Sequence, residues 1–133
     1  MSTSIVYYSG NLRTESTHIE SGENYITDAP TDNQGKGKAF SPTDLIATSL
    51  ANCMLTIMGI IAKRESLQIE GTRAEVTKIM GKNPRCISEI KIDFQFPRDY
   101  GDEEKKLLEE GALNCPVAKS LSANLIQTIN FYH

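Results

Sequence analysis

The spacing of apolar residues changes along this chain, and each change predicts a different element. In the first third, short β-branched and aromatic runs are separated by turn residues. Ser4 to Ser9 is followed by Gly10-Asn11, and Leu12 to Glu20 then runs with roughly alternating character to Ser21-Gly22. That pattern predicts a hairpin, with Asn24 to Asp28 as a third short strand. Ala29 to Lys38, carrying Pro30, Asn33, Gly35 and Gly37, predicts a loop free to move.

Ser41-Pro42-Thr43-Asp44 is a helix start. Serine supplies the N-cap, proline sits where its missing N–H costs nothing, and an acid three residues after the cap completes a short capping box. From Leu45 to Ala62 there are 18 residues without a charge, and the apolar ones spread around the whole circumference. A helix of that kind must be buried on nearly all sides. Its length also matches a membrane span. Thr48, Ser49, Asn52, Thr56 and Gly59 dilute it, however, and no aromatic belt flanks it, so no membrane partner is expected. One chain of 133 residues has trouble wrapping such a helix. Burial shared with a second copy, in an intertwined homodimer, is therefore expected.

Beyond the helix the period returns to two. Gln68 to Met80 alternates, Gly81 to Pro84 turns, and Ile90, Ile92, Phe94 and Phe96 alternate strictly, which predicts a long hairpin with one wet face. Asp102 to Leu113 predicts a charged helix, Pro116 starts a short one reaching about Ala123, and Leu125 to Phe131 predicts a terminal strand. A single domain over residues 1–133 is expected, divided into a three-stranded meander and loop (1–40), a central helix (41–66) and a hairpin, helices and terminal strand (67–133).

Composition alters this picture little. Apolar residues at 39% and charged residues at 23% fit a soluble globular protein. A net charge of −3 gives no attraction for phosphate backbones, so nucleic acid is not an expected partner. The first residues lack the basic and apolar regions of a secretory signal, so a cytoplasmic location is expected.

Candidate chemistry rests on three cysteines, at 53, 86 and 115, whose odd count and wide spacing suit neither a disulfide framework nor a metal knuckle. With His18 and His133 they offer no pair at ligand spacing, so no metal site is expected. Cys53 lies 11 residues past Pro42, too deep in the helix for its dipole to help, so a reactive Cys53 needs an added cation. Its plainer reading is a small buried apolar side chain. Cys115, beside Pro116 at a predicted helix N-terminus, sits where the dipole favours a thiolate and could either attack or resolve; a plain helix-cap role is its alternative. Cys86, after Pro84-Arg85 at a strand entry, reads as structural or incidental. Gly35-Lys36-Gly37-Lys38 lacks the length and trailing Ser/Thr of a phosphate loop and reads as a mobile cover.

The run Ser41-Pro-Thr-Asp-Leu-Ile-Ala-Thr-Ser-Leu-Ala-Asn-Cys53, with Cys115-Pro116-Val-Ala-Lys-Ser after a charged helix, resembles the OsmC/Ohr family of organic hydroperoxide reductases. The resemblance covers nearly the whole chain in element order. It implies an α+β OsmC-like fold: an intertwined homodimer with two six-stranded mixed sheets around two long central helices. Carried over residue by residue, it implies that Cys53 is the peroxidatic cysteine, that Cys115 is the resolving cysteine, and that Arg13 reaches the thiolate from the partner chain. It implies an antioxidant enzyme of oxidative stress that reduces organic hydroperoxides through a Cys53 sulfenate. It further implies that no cofactor is bound and that an external dithiol of lipoyl type resets the disulfide.

One position departs from the family. Where hydroperoxide reductases carry a glutamate after the helix-starting proline to pair with the arginine, this chain has Thr43. Asp44, nine residues before Cys53, falls on the opposite helix face and is better explained by the capping box; Glu15 or Glu20 could hold Arg13 instead. Two function classes follow: a dithiol peroxidase, or a non-catalytic OsmC-fold dimer whose pocket binds a small apolar ligand.

Overall fold

The computed structural model describes residues 2–133, with β1 (Ser4–Gly10), β2 (Arg13–His18), β3 (Asn24–Asp28), α1 (Pro42–Arg64), β4 (Arg73–Gly81), β5 (Cys86–Gln95), α2 (Asp102–Leu113), α3 (Pro116–Ser120) and β6 (Ile126–Tyr132). Two compact units divide it, one ending at Ile46 and one beginning at Ala47.

In the first unit β1, β2 and β3 form an antiparallel sheet in that order. Asn11 and Leu12 adopt left-handed φ of 55° and 62°, the backbone that lets a short turn follow the strands' own twist. The β2–β3 register sets Arg13 opposite Asp28 and Thr14 opposite Thr27. Among the described residues of this unit, the buried ones are Ser16, Thr27, Asp28 and Ser41, all polar, while Val6, Tyr7, Tyr8 and Tyr25 stand exposed. The stretch after β3 is hydrogen-bonded rather than featureless. It holds a 3₁₀ turn over Thr31–Asn33, and the Gly37 N–H donates to the Ala29 carbonyl at 3.3 Å.

The capping box forms as its residues dictate. The Ser41 N–H donates to Asp44 Oδ2 at 2.9 Å, and the Asp44 N–H donates to Ser41 Oγ at 3.1 Å. In the second unit, α1 buries Leu50, Ala51, Met54, Met58 and Ile61 along one stripe. They pack with Ile90, Ile92 and Phe94 of β5 and Leu108 of α2, so α1 is a core helix. Gly111 of α2 lies so close that an added Cβ would sit 2.2 Å from Ile61 Cδ1. Burial on nearly all sides is not reached within one chain: Ile60 is 57% exposed, because a single sheet and α2 can cover only one side of a helix. The second sheet runs β4-β5-β6, with β5 antiparallel to β4 and parallel to β6. Phe94 stacks on Phe131 with ring centroids 5.4 Å apart.

One chain therefore supplies two three-stranded sheets to an α+β architecture. Two boundaries also move. β4 starts at Arg73 rather than Gln68, because Gly71 at φ 94° and a Thr72 N–H to Ile69 carbonyl bond make a turn first. α3 stops at Ser120, since Leu121 is already extended.

Phe94 is fully buried, so Phe94→Ala should destabilise the chain by about 3–5 kcal/mol. Urea unfolding followed by circular dichroism measures this, and a loss well under 1 kcal/mol would mean that the β5 face is not the core.

Candidate active site

Cys115 is the N-cap of α3, and Pro116 follows it as the first helical residue. Its Sγ accepts the Ala118 N–H at 3.4 Å, and its backbone is tied to Ala112 at 3.3 Å and Lys119 at 3.1 Å. This is the local geometry expected of an activated thiol, yet its net effect is the reverse. Cys115 has no exposed surface, and burial pushes its thiol above the usual range, outweighing the Ala118 and Val117 N–H groups that pull it down. α3 has only five residues and offers little dipole to oppose that cost. Burial thus offsets the helix end, and the expectation that Cys115 is activated by that end is corrected.

Cys53 is half-buried on α1 and packs against the cluster to which Cys115 belongs. Cys53 lies near enough to push the Cys115 pKa up further. The fold brings together two cysteines 62 positions apart in sequence. One of the two is reachable from solvent.

Arg13 belongs to the first unit. Its Nε donates to Asp28 Oδ1 at 2.7 Å and its Nη2 to Asp28 Oδ2 at 2.9 Å, a two-pronged pair in which the arginine side chain is 38% exposed and the aspartate 5%. These bonds hold the Asp28 carboxyl below the usual carboxylate range, against burial that pushes it up. Neither Glu15 nor Glu20 is the partner, although Glu15 adds a through-space pull on Arg13. Asp28 was hidden by reading acids near Arg13 in sequence. Cross-strand register was the available signal, since a turn centred on residues 20–21 sets 13 opposite 28.

The remaining candidates lie apart from this chemistry. Thr43 Oγ1 is 3.3 Å from Ser41 Oγ within the cap, and Cys86 is exposed at the start of β5. His18 bonds Ser21, and His133 bonds Glu109 at 2.9 Å and stacks on Phe96. Among the described residues no group of three or more His, Cys, Asp or Glu side chains could hold a metal ion.

The family model for OsmC-like proteins matches residues 35–129, most of the chain and both paired cysteines. The chain belongs to the OsmC-like family. No curated protein matches it, but solved structures do. A candidate osmotic-stress-induced and detoxification-response protein from Psychrobacter arcticus 273-4 is 52% identical, with a TM-score of 0.96 over 99% of this chain and 96% of that one. An organic hydroperoxide resistance protein OsmC from Legionella pneumophila is 15% identical, with a TM-score of 0.73 over 100% and 98% of the two chains. One from Elizabethkingia anophelis with thiocyanate bound is 14% identical, with a TM-score of 0.70 over 100% and 97%. At those identities the last two share the OsmC fold with this chain.

Two outcomes follow from the surroundings of Cys115 and Asp28 in this OsmC-like protein. Replacing Cys53 by serine should lower the Cys115 pKa, yet leave it above the ordinary thiol value of about 8.5, because burial is the larger cause. The Cβ chemical shift of labelled cysteine against pH reads this, and an ordinary or lower value would show that burial does not govern the thiol. Asp28, with its folded pKa depressed, contributes stability that is complete above about pH 4 and is lost as pH falls through the depressed value. The difference in melting temperature between wild type and Asp28→Asn should therefore shrink below that pH; a constant difference would dismiss the ion pair as its source.

Proposed function

We propose that this OsmC-like chain is a thiol-dependent peroxidase that reduces organic hydroperoxides. The observation that supports it most is the pairing of a buried Cys115 with a half-buried Cys53 in one cluster. Cys53 is the one of the two that a substrate can reach, and Cys115 packs in the same cluster to meet it. The Cys53 thiolate attacks the distal oxygen of the hydroperoxide. The O–O bond breaks, the alkoxide leaves with a proton as the alcohol, and Cys53 is oxidised to a sulfenic acid. The Cys115 thiol then attacks that sulfur, water leaves, and a Cys53–Cys115 disulfide forms. An external dithiol, of lipoyl type on the family resemblance, reduces it and leaves as its own disulfide. Leu55, Ile57 and Val117 pack against the same cluster, which favours alkyl or fatty-acyl hydroperoxides over hydrogen peroxide.

In this reading Arg13 stabilises the thiolate from the partner subunit of a homodimer in the cytoplasm. Asp28 replaces the glutamate missing at Thr43 as the carboxylate that orients it. The exposed Ile60 and the apolar side chains of the first sheet support assembly. The threonine at position 43 also favours a second reading, in which the dimer binds a small apolar ligand without turnover.

One equivalent of cumene hydroperoxide followed by disulfide mapping separates the two. The peroxidase gives a Cys53–Cys115 bridge, and Cys115→Ser gives a dimedone-trappable Cys53 sulfenate. Neither product forms if the protein only binds.

A further inference from the structure

β6 carries a polar residue where its pattern calls for an apolar one. Gln127, Ile129 and Phe131 alternate along the strand and stand beside Ile90, Ile92 and Phe94 of β5, all three of which are fully buried. Ile129 and Phe131 join that core, as the face requires. A carboxamide in the same row costs free energy unless it is hydrogen-bonded, whereas an aliphatic side chain would fill the place at no such cost. The amide is bonded: Gln127 Nε2 donates to the Ala118 carbonyl at 3.0 Å.

That bond answers a need of α3, whose five residues are too few to hold a helix unaided. Within this turn the Cys115 carbonyl accepts the Lys119 N–H at 3.1 Å, and the Pro116 carbonyl accepts the Ser120 hydroxyl at 2.7 Å. Both donors belong to α3 itself. The chain is already extended at Leu121, so the Ala118 carbonyl falls in a last turn that has no helical donor ahead of it. It is held from β6 instead. Ala118 is also the residue that meets the sulfur, because its N–H donates to Cys115 Sγ at 3.4 Å. The two polar backbone groups of one residue therefore tie Gln127 to Cys115, and release of the carbonyl would free the donor that faces the sulfur.

We propose that Gln127 is a positioning residue for the resolving step, acting through Ala118 to hold Cys115 Sγ where it can attack the oxidised Cys53. The inference deepens the peroxidase reading and rests on it. In this step the Cys115 sulfur forms the S–S bond and the S–O bond of the Cys53 sulfenic acid breaks. The hydroxyl leaves as water with the Cys115 proton. Gln127 exchanges no proton or electron; it keeps a short turn in place while the bond closes. The earlier attack on the hydroperoxide uses Cys53 on α1 and does not involve α3.

The test times the two steps separately in the intact protein. Gln127→Leu keeps the bulk and removes the amide, and Gln127→Glu keeps the length but offers a carboxylate, which has no donor at neutral pH. After one equivalent of cumene hydroperoxide, samples are quenched over time with dimedone, and intact mass separates trapped sulfenate from disulfide. In both variants the sulfenate should form at the wild-type rate and close about three- to tenfold more slowly, the range for one lost hydrogen bond. Leucine suits this apolar row, so Gln127→Leu should keep or raise the melting temperature, and its slower closure cannot then come from a weakened fold. A wild type that gives neither sulfenate nor disulfide would overturn the peroxidase reading and this inference with it. Normal closure in the wild type with equally fast closure in Gln127→Leu, or equal slowing of both steps, would overturn this inference alone.

Discussion

More apolar surface is carried by this chain than one copy folds away, and the arrangement of everything else answers to that excess. The stripe of α1 from Leu50 to Ile61 is satisfied by β5 and α2, but Ile60 on another face is not. In the first unit the imbalance is sharper, because its buried side chains are polar and its aromatic ones face outward. A sheet of three strands without an apolar interior cannot repay the entropy of ordering itself. In the proposed homodimer, closing these surfaces would be part of the folding reaction and not an addition to a finished molecule.

Electrostatics in the two units follows one rule, that a buried group keeps the ionisation state its neighbours allow. Asp28 is as buried as many core residues, yet stays charged because Arg13 and a backbone N–H meet its oxygens. Cys115 is equally buried and gains two N–H contacts, yet its pKa is raised, because burial outweighs them. Comparing the two shows how much a full opposite charge matters against partial ones in a low-dielectric setting.

Much of the fold was legible in the sequence because local chemistry decides it. The Ser41–Asp44 box, Pro116 at the start of a helix and the strict alternation from Ile90 to Phe96 each act within a few residues, and each element appears where they put it. The errors lie where a longer range takes over. Gly71 delays β4 through a turn that alternation could not reveal. The identity of Arg13's partner depends on a register between strands, and the protonation of Cys115 depends on core packing that no single stretch encodes. The cysteine pairing was read through family resemblance; spacing alone left it open.

The contrast in exposure between the two paired sulfurs bears on direction as well as reactivity. In a disulfide joining them, the half contributed by Cys115 would have no face to solvent, so an incoming thiolate could reach only the Cys53 sulfur and Cys115 would be expelled. Its raised pKa makes it a reluctant leaving group, which slows that exchange relative to one expelling an acidic thiol. On the proposed peroxidase reading, a bond of this kind would resist a passing monothiol and yield to a dithiol whose second sulfur closes the exchange before Cys115 returns.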